Sequence, residues 1–74
     1  MNHMEFYERL HMLRKERGET QTQAGDGAGI TLRQWQRFER GEQKPGFDVL
    51  IAIADHFEVS LDYLTGRSER REIF

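Results

Sequence analysis

Four glycines divide this chain of 74 residues into short segments, and most of those segments repeat their apolar residues at the spacing of an α-helix. Gly18, Gly29, Gly41 and Gly66 stand where such a segment stops, and glycine is enriched just past the ends of helices. Between the glycines, apolar residues return after three or four positions and do not alternate with polar residues, as they would in a half-buried strand. The pattern therefore predicts a compact all-α fold in a single domain.

The glycines and the capping residues together predict five helices. Thr20, Thr31 and Ser60 each precede a candidate helix, and a hydroxyl at that position accepts a hydrogen bond from a free backbone N–H group. We expect helices from Met4 to Arg17, from Gln21 to about Ala28, from Thr31 to about Arg40, from Phe47 to Phe57, and from Ser60 to Gly66. Residues 1–66 then form the domain, and residues 67–74 form a charged tail that frays.

The helical spacing also predicts which residues fill the core. The fourth helix is the most apolar of the five. The second is a poor helix former, because each interior glycine is about 1 kcal/mol less favourable than alanine, so packing must hold it. The predicted core consists of Phe6, Leu10, Leu13, Ile30, Trp35, Phe38, Leu50, Ile51, Ala54, Phe57, Leu61 and Leu64.

The composition excludes several classes of protein. The chain has no cysteine, so we expect no disulfide and no thiolate zinc site. His3, His11 and His56 are too scattered for a metal site, and we expect them at the surface. Asp55 and Glu58 could resemble a catalytic pair, but they lie on a helix face with no candidate pocket, so a solvated surface is expected. No Walker lysine follows the glycines at positions 25–29. We therefore expect neither an enzyme nor a bound cofactor.

No segment is suited to a membrane or to export. The longest apolar runs, such as residues 49–54, fall far short of the roughly 20 residues that cross a bilayer. The first residues also lack the apolar stretch of a signal peptide. We therefore expect a cytoplasmic protein without a membrane partner.

The third helix presents a stripe of basic side chains. The stripe consists of Arg33, Arg37 and Arg40, with Gln34 and Gln36 beside it. Trp35 and Phe38 lie on the opposite, apolar side. Arginine and glutamine are the side chains that bind guanine edges, adenine edges and phosphates in the major groove of DNA. Three arginines on an exposed helix can also be a solvated face and nothing more, so the stripe alone leaves both interpretations open.

Charge is distributed unevenly along the chain. The net charge is −2, but residues 31–46 hold four basic against two acidic residues, a local charge of +2. Residues 47–66 hold four acidic residues and no lysine or arginine, a local charge of −4. The basic third helix suits double-stranded DNA as the partner. The acidic face of helices four and five supports the alternative, a protein-interaction module such as an antitoxin or an adaptor.

Several separated motifs occur together and in order. The second and third helices, with the glycine turn between them, have the spacing of a helix-turn-helix. The motifs are Thr20-Gln21, Gly29-Ile30-Thr31, Trp35, the run from Arg37 to Gly41, Lys44-Pro45 and the run from Val59 to Arg67. Over residues 5–67 this arrangement resembles the Cro/C1-type helix-turn-helix family, also called XRE. The resemblance implies a five-helix phage-repressor-like DNA-binding domain and a sequence-specific transcriptional regulator, a repressor of phage or mobile-element type from a bacterium or a phage.

The resemblance also implies roles for individual positions. The third helix would enter the major groove, and bases would be contacted from Leu32, Arg33 and Gln34 and, one turn on, from Arg37. Gln21 matches a position that binds a phosphate. The candidate set for DNA is Gln21, Thr31, Leu32, Arg33, Gln34, Arg37, Arg40, Gln43 and Lys44. Leu32 has two open interpretations, contact with a thymine methyl group or partly buried packing.

Two structural expectations follow from the resemblance. Arg14 and Glu39 match a family pair that forms a partly buried ion pair with a structural role. Family members carry bulky aliphatic residues where this chain has Ala24 and Ala28, and Ile or Val where it has Trp35. We expect the large indole to fill the space that the two alanines leave, because cores tolerate exchanges that keep the total volume.

Association between copies is a further expectation. A single small module contacts few bases, and two copies on half-sites about one helical turn apart are the common solution. We therefore expect a homodimer, at least on DNA, and no small-molecule ligand. Tyr63, Ile73 and Phe74 have two interpretations, part of a disordered tail or a patch through which two copies associate.

Overall fold

A computed structural model of the chain describes residues 4–73. Within that range it contains five α-helices and no β-strand, which confirms the predicted fold class. The helices are α1 (Phe6–Glu16), α2 (Gln21–Ala28), α3 (Leu32–Glu39), α4 (Phe47–Phe57) and α5 (Leu61–Thr65). α1 is shorter than the predicted range of residues 4–17, because the residues just outside it serve as caps. The body measures 30 × 25 × 25 Å; α3 lies against α1 and α2, and α5 lies against α1 and α4.

Local hydrogen bonds determine where three of the helices begin. The Thr20 hydroxyl accepts from the backbone N–H of Gln23 at 3.1 Å, and the Gln23 side chain accepts from the N–H of Thr20 at 2.8 Å. Thr31 and Gln34 form the same reciprocal pair at the start of α3. The Ser60 hydroxyl caps α5. All three predicted capping residues therefore cap a helix.

One cluster of buried side chains lies between the helices. Trp35 is fully buried and packs edge to face against Phe57, with 6.1 Å between the ring centroids. Ala24 and Ala28 belong to the same cluster, so the large indole and the two small residues share one core. The cluster consists of Leu10, Leu13, Ala24, Ala28, Trp35, Phe38, Ile53, Ala54, Phe57, Val59, Tyr63 and Leu64.

Some residues that the sequence predicts for the core lie at its edge or outside it. Four of them are only partly buried, namely Phe6, Ile30, Leu50 and Ile51. Of these, Phe6, Ile30 and Leu50 still pack against the buried cluster. Leu61 was a wrong prediction, because it is 37% exposed. The short α5 turns Tyr63 and Leu64 inward, which leaves Leu61 at the surface. Ile53 and Val59, which the sequence analysis missed, are buried.

The tail that follows α5 is attached to the domain, so the prediction that it frays is wrong over residues 67–73. The Arg71 guanidinium donates two hydrogen bonds to the Glu16 carboxylate, each 2.9 Å long. The backbone N–H of Ser60 donates to the Arg71 carbonyl at 2.8 Å. The Ser60 hydroxyl donates to the Arg70 carbonyl at 3.1 Å. These contacts join the tail to both α1 and α5.

Two arginine side chains cover Tyr63. The guanidinium carbons of Arg9 and Arg71 lie 4.4 and 4.9 Å from the centroid of its ring, which is the geometry of a cation–π contact. Tyr63 is therefore buried, and the suggestion that it forms part of an exposed patch is wrong. Ile73 is 58% exposed, and Phe74 lies outside the described residues.

α2 and α4 approach closely at Gly27. The imidazole ring of His56 occupies the place where a Cβ atom at Gly27 would stand. The ring is held there by Glu19, whose Oε1 lies 2.8 Å from its Nε2 atom, and by Phe57 on the neighbouring position. His56 is therefore partly buried, so the prediction that it lies at the surface is wrong. His3, assigned to the surface with it, lies outside the described residues.

Candidate nucleic-acid interface

A glycine turn fixes the relation between α2 and α3. Gly29 follows α2 with a φ of 72°, a left-handed conformation that glycine adopts without steric penalty. The N–H of Ile30 donates to the carbonyl of Gly25 at 2.9 Å and closes the turn. A Cβ atom at Gly25 would lie 3.2 Å from the Ile30 carbonyl oxygen, so the turn is tightly packed. The two helices and this turn form the helix-turn-helix that the spacing predicts.

α3 has one buried and one exposed side. Trp35 and Phe38 point into the core. Leu32 is 42% exposed, which favours an external contact over packing beside Trp35. An open cleft along the exposed side is lined by Thr31, Leu32, Arg33, Gln36, Arg37, Arg40 and Glu42. The arginine stripe therefore faces solvent, where a ligand can reach it.

The loop between α3 and α4 carries the other basic candidate. Gln43 and Lys44 are exposed in this loop. Arg40, at the C-terminal end of α3, lies 3.5 Å from the Glu42 carboxylate. Such an exposed ion pair is weak, but it places a negative charge beside one of the three stripe arginines.

Glu39 lies beneath this surface and contacts four polar side chains. Its carboxylate accepts hydrogen bonds from Arg14 Nε at 2.9 Å, Gln21 Nε2 at 2.8 Å and Trp35 Nε1 at 2.9 Å, and lies 2.8 Å from His11 Nδ1. The Glu39 side chain is 4% exposed. The structure thus brings Arg14 and Glu39 together, and the pair links α1 to α3.

The Glu39 carboxylate is stabilised in its ionised form. Burial raises the pKa of Glu39. Hydrogen bonds from Gln21, Arg14, His11 and Trp35 lower it by a larger amount, so the pKa lies below its ordinary value. A buried charge normally destabilises a fold unless several partners satisfy it. Here the partners come from α1, α2 and α3, so the same carboxylate holds these three helices together.

Gln36 is a polar residue of this site that lies outside the predicted DNA-binding set. Its Nε2 atom donates to Gln21 Oε1 at 3.4 Å. The two residues are fifteen positions apart, so their contact depends on how α2 packs against α3 and leaves no sign in the spacing. The contact from Trp35 to Glu39 spans four residues within α3. Helical spacing could have revealed that contact.

The acidic side of α4 and α5 is partly neutralised by the tail. Arg67 Nε lies 3.9 Å from the Asp62 carboxylate. Arg70 lines the same groove as Asp55 and Asp62. In residues 4–73, this face gives no support to the alternative of a protein-interaction module.

The part of the chain that the structure describes contains no group of three acidic, histidine or cysteine side chains that could hold a metal ion. Its helices include none with the length and apolar character needed to span a membrane.

Known proteins share this arrangement. A family model described as "Helix-turn-helix domain" matches residues 5–65, a range that includes all five helices. The chain belongs to the Cro/C1-type helix-turn-helix family. The resemblance carried by the sequence motifs is thereby confirmed.

Relatives of this Cro/C1-type chain are named as regulators. It is 42% identical over 64 residues to the cryptic phage CTXphi transcriptional repressor RstR of Vibrio cholerae, a match that covers 86% of this chain and 57% of the relative. It is 32% identical over 66 residues to the HTH-type transcriptional regulator ImmR of Bacillus subtilis, with 89% and 52% covered. The chain thus spans little more than half the length of these relatives. Their names agree with the expectation that it is not an enzyme.

Solved repressor structures have the same Cro/C1-type fold. The solution structure of the DNA-binding domain of the P22 c2 repressor is 29% identical, with a TM-score of 0.82 over 89% of this chain and 87% of that one. The crystal structure of the P22 c2 repressor with a synthetic operator is 26% identical, with a TM-score of 0.83 over 88% and 98%. In that crystal structure the fold is bound to operator DNA.

Proposed function

We propose that this protein is a sequence-specific, double-stranded DNA-binding transcriptional regulator, a repressor of the phage type. The observation that carries the proposal is the exposed arginine side of α3, presented directly after a helix-turn-helix turn. The relatives support it, because one is named as a phage repressor and a solved structure of the same fold holds an operator.

In this proposal, the first half of α3 reads base edges in the major groove. Arg33 and Gln34 match the donor and acceptor patterns of guanine and adenine. The exposed Leu32 suits a thymine methyl group. Arg37 lies one turn further along the exposed side. Together these residues would determine the preferred sequence.

Residues around α3 would position the protein on the DNA backbone. The candidates for phosphate contacts are Gln21, Thr31, Gln43 and Lys44. Such contacts fix register and orientation but carry no sequence information. Arg40, partly neutralised by Glu42, would add positive charge at the far end of the helix.

We further infer that two copies bind one site. A single α3 contacts few base pairs, and two-fold dimers on half-sites about one helical turn apart are the usual arrangement for this motif. The protein would act in the bacterial cytoplasm and repress by occupying its operator. Without a small-molecule ligand, its concentration or a partner would control it.

Selection from a pool of randomised duplexes, followed by fluorescence anisotropy at several salt concentrations, tests the proposal. We expect an enriched site with two-fold symmetry and an affinity that falls steeply with salt. The double variant Arg33→Ala/Arg37→Ala should lose that site. Arg70→Ala serves as the control, because Arg70 is an exposed arginine in the tail. A wild type that binds no duplex even at low salt would overturn the proposal.

Base contacts and phosphate contacts can be separated by single variants. Arg33→Ala should weaken binding to the selected site by about 1 to 3 kcal/mol and relax the base preference. Lys44→Ala should weaken binding to all duplexes alike. Equal losses on matched and mismatched duplexes for both variants would contradict this division of roles.

A further inference from the structure

The side-chain amide of Gln21 is held at both of its polar atoms. Gln21 is the first residue of α2 and is partly buried. Its Nε2 atom lies 2.8 Å from Glu39 Oε2, and its Oε1 atom lies 3.4 Å from Gln36 Nε2. Both partners belong to α3. The amide is therefore attached to the helix that carries the arginine stripe.

The chemistry of the two partners permits one orientation of this amide. An ionised carboxylate only accepts hydrogen bonds, so the Gln21 atom that faces Glu39 must be the nitrogen. The oxygen then faces Gln36, whose NH₂ group donates to it. A rotation of the Gln21 amide by 180° would set its oxygen against the Glu39 carboxylate and lose the hydrogen bond to Glu39.

This orientation leaves a donor for an external acceptor. The amide nitrogen carries two N–H groups, and Glu39 is its one acceptor among the described residues. A phosphate oxygen is an acceptor without a proton to donate, so it requires an N–H group and is repelled by a carbonyl oxygen. The fixed orientation presents the atom that a phosphate can bind.

We propose that Gln36 and Glu39 are positioning residues, which hold the Gln21 amide with its oxygen against α3 and one N–H group free for a DNA phosphate. This inference rests on the proposed function. Gln36 also lines the cleft along the exposed side of α3. The phosphate contact made from α2 is thereby coupled to the helix that enters the groove.

A double-mutant cycle in DNA binding tests the coupling. Methionine has nearly the length of glutamine and no N–H group, so the variants are Gln21→Met, Gln36→Met and the two combined. On the selected duplex, we expect each single variant to bind about three- to tenfold more weakly, the range that one hydrogen bond accounts for. The double variant should bind no more weakly than Gln21→Met alone.

The matched control for the cycle is Gln34→Met. Gln34 is on the same helix, but its side chain bonds to Thr31 at the helix start. The loss of DNA affinity in Gln34→Met should therefore add to the loss in Gln21→Met. The sequence selected by Gln36→Met should equal that of the wild type, because a positioning residue for a phosphate contact leaves the bases unread.

Side-chain amide signals in a ¹⁵N–¹H correlation spectrum provide a readout that a merely structural role would not change. In the wild type, the two Gln21 protons should differ in shift, and DNA should move mainly one of them. In Gln36→Met, the two protons should move closer together in the free protein, while the urea midpoint stays near that of the wild type.

The outcomes separate this inference from the proposed function. A wild type that binds no duplex would overturn both. A wild type that binds, with losses for Gln21→Met and Gln36→Met that add fully, would overturn the positioning role and leave the proposed function intact. The positioning role would be supported if the losses for Gln21→Met and Gln36→Met are coupled while the loss for Gln34→Met adds to that for Gln21→Met.

Discussion

Glu39 combines burial with charge, and its protonation should therefore control stability in acid. Burial raises the pKa of Glu39, but its hydrogen-bond partners lower this pKa by a larger amount, so that it lies below the ordinary value. A carboxyl group whose pKa is lowered by folding stabilises the fold above its unfolded pKa, about 4.3 for glutamate. The contribution is lost as the pH falls through the lower folded pKa. We expect the free energy of unfolding to decrease below about pH 4.3.

Glu39→Gln tests this expectation by urea unfolding between pH 7 and pH 3. The variant should lose about 3 kcal/mol at pH 7, because Arg14 is left buried without its charged partner. Between pH 7 and pH 3, the free energy of unfolding of the variant should decrease by less than that of the wild type. Some loss should remain because the hydrogen bond from Arg71 also lowers the pKa of Glu16. Glu42→Gln, at an exposed position, is the control, and its free energy of unfolding should decrease in acid as much as that of the wild type. An unchanged acid profile in Glu39→Gln would contradict the role given to this carboxylate.

Gly27 is a second residue whose neighbours determine the effect of a substitution. In an isolated helix, Gly27→Ala would stabilise by about 1 kcal/mol. Here the new methyl group would overlap the His56 ring, which Glu19 holds in place. We therefore expect Gly27→Ala to destabilise the protein by about 1 to 2 kcal/mol.

The reason for that loss can be checked by changing His56. In a His56→Ala background, Gly27→Ala should recover its helix propensity and stabilise the protein by about 0.5 to 1 kcal/mol. Thermal and urea unfolding of the four proteins in this cycle would measure the change of sign. Destabilisation of equal size in both backgrounds would show that the ring is not the cause.

At the scale of elements, the tail illustrates how a charged segment can become ordered. Arg71 joins the tail to Glu16 in α1 and covers the ring of Tyr63 in α5. The hydrogen bond from Arg71 lowers the pKa of Glu16. Both groups are about half exposed, so the ion pair is weak on its own. The stacking contact adds a comparable contribution.

Arg71→Ala should therefore destabilise the protein by about 1 kcal/mol. It should also increase amide hydrogen exchange at Ser60, whose N–H donates to the Arg71 carbonyl. Glu16→Gln removes only the ion pair and should have a smaller effect. Exchange at Ser60 that stays the same in Arg71→Ala would show that the tail is held by other contacts.

The elements differ in how far the sequence could predict them. α2 begins and ends where predicted, since the capping residue Thr20 and the glycine turn are local signals. The exposure of Leu61 and the order of the tail depend on contacts with distant residues. Arg71 and Glu16 are fifty-five positions apart. Charge and spacing within the tail contain no sign of that partner.

At the scale of the whole molecule, the basic stripe and the acidic residues that the sequence analysis singled out lie on different helices. The arginine stripe lies on α3, whereas the acidic residues lie on α4 and α5. Repulsion between these acidic residues and a phosphate backbone acts over distance, and at 0.15 M salt it is screened beyond about 8 Å. We expect Asp55→Asn/Asp62→Asn to strengthen DNA binding at low salt and to leave it unchanged at 0.15 M.

Fluorescence anisotropy on one duplex at 0.02 M and 0.15 M salt would measure this difference. Lys44→Ala is the contrasting variant, because loss of the phosphate contact proposed for Lys44 should weaken binding at both salt concentrations. A gain for the double asparagine variant that persists at 0.15 M would place the acidic residues close to the DNA.

The sequence predicted only part of the candidate interface. Exposure of Arg33 and Arg37 follows from helical spacing opposite Trp35. The hydrogen bond between Gln36 and Gln21 requires α2 and α3 to be packed. Residue types and spacing therefore predicted which side of α3 is exposed, but not how the polar groups beneath it are connected.

The side-chain caps have a consequence for the speed of folding. The starts of α2, α3 and α5 depend on hydrogen bonds between residues three positions apart. Such contacts close within about 100 ns, before distant segments meet. Small helical proteins dominated by local contacts fold in microseconds to milliseconds. Folding of this domain should therefore take microseconds to milliseconds, so folding would not limit how quickly its candidate DNA-binding surface becomes available.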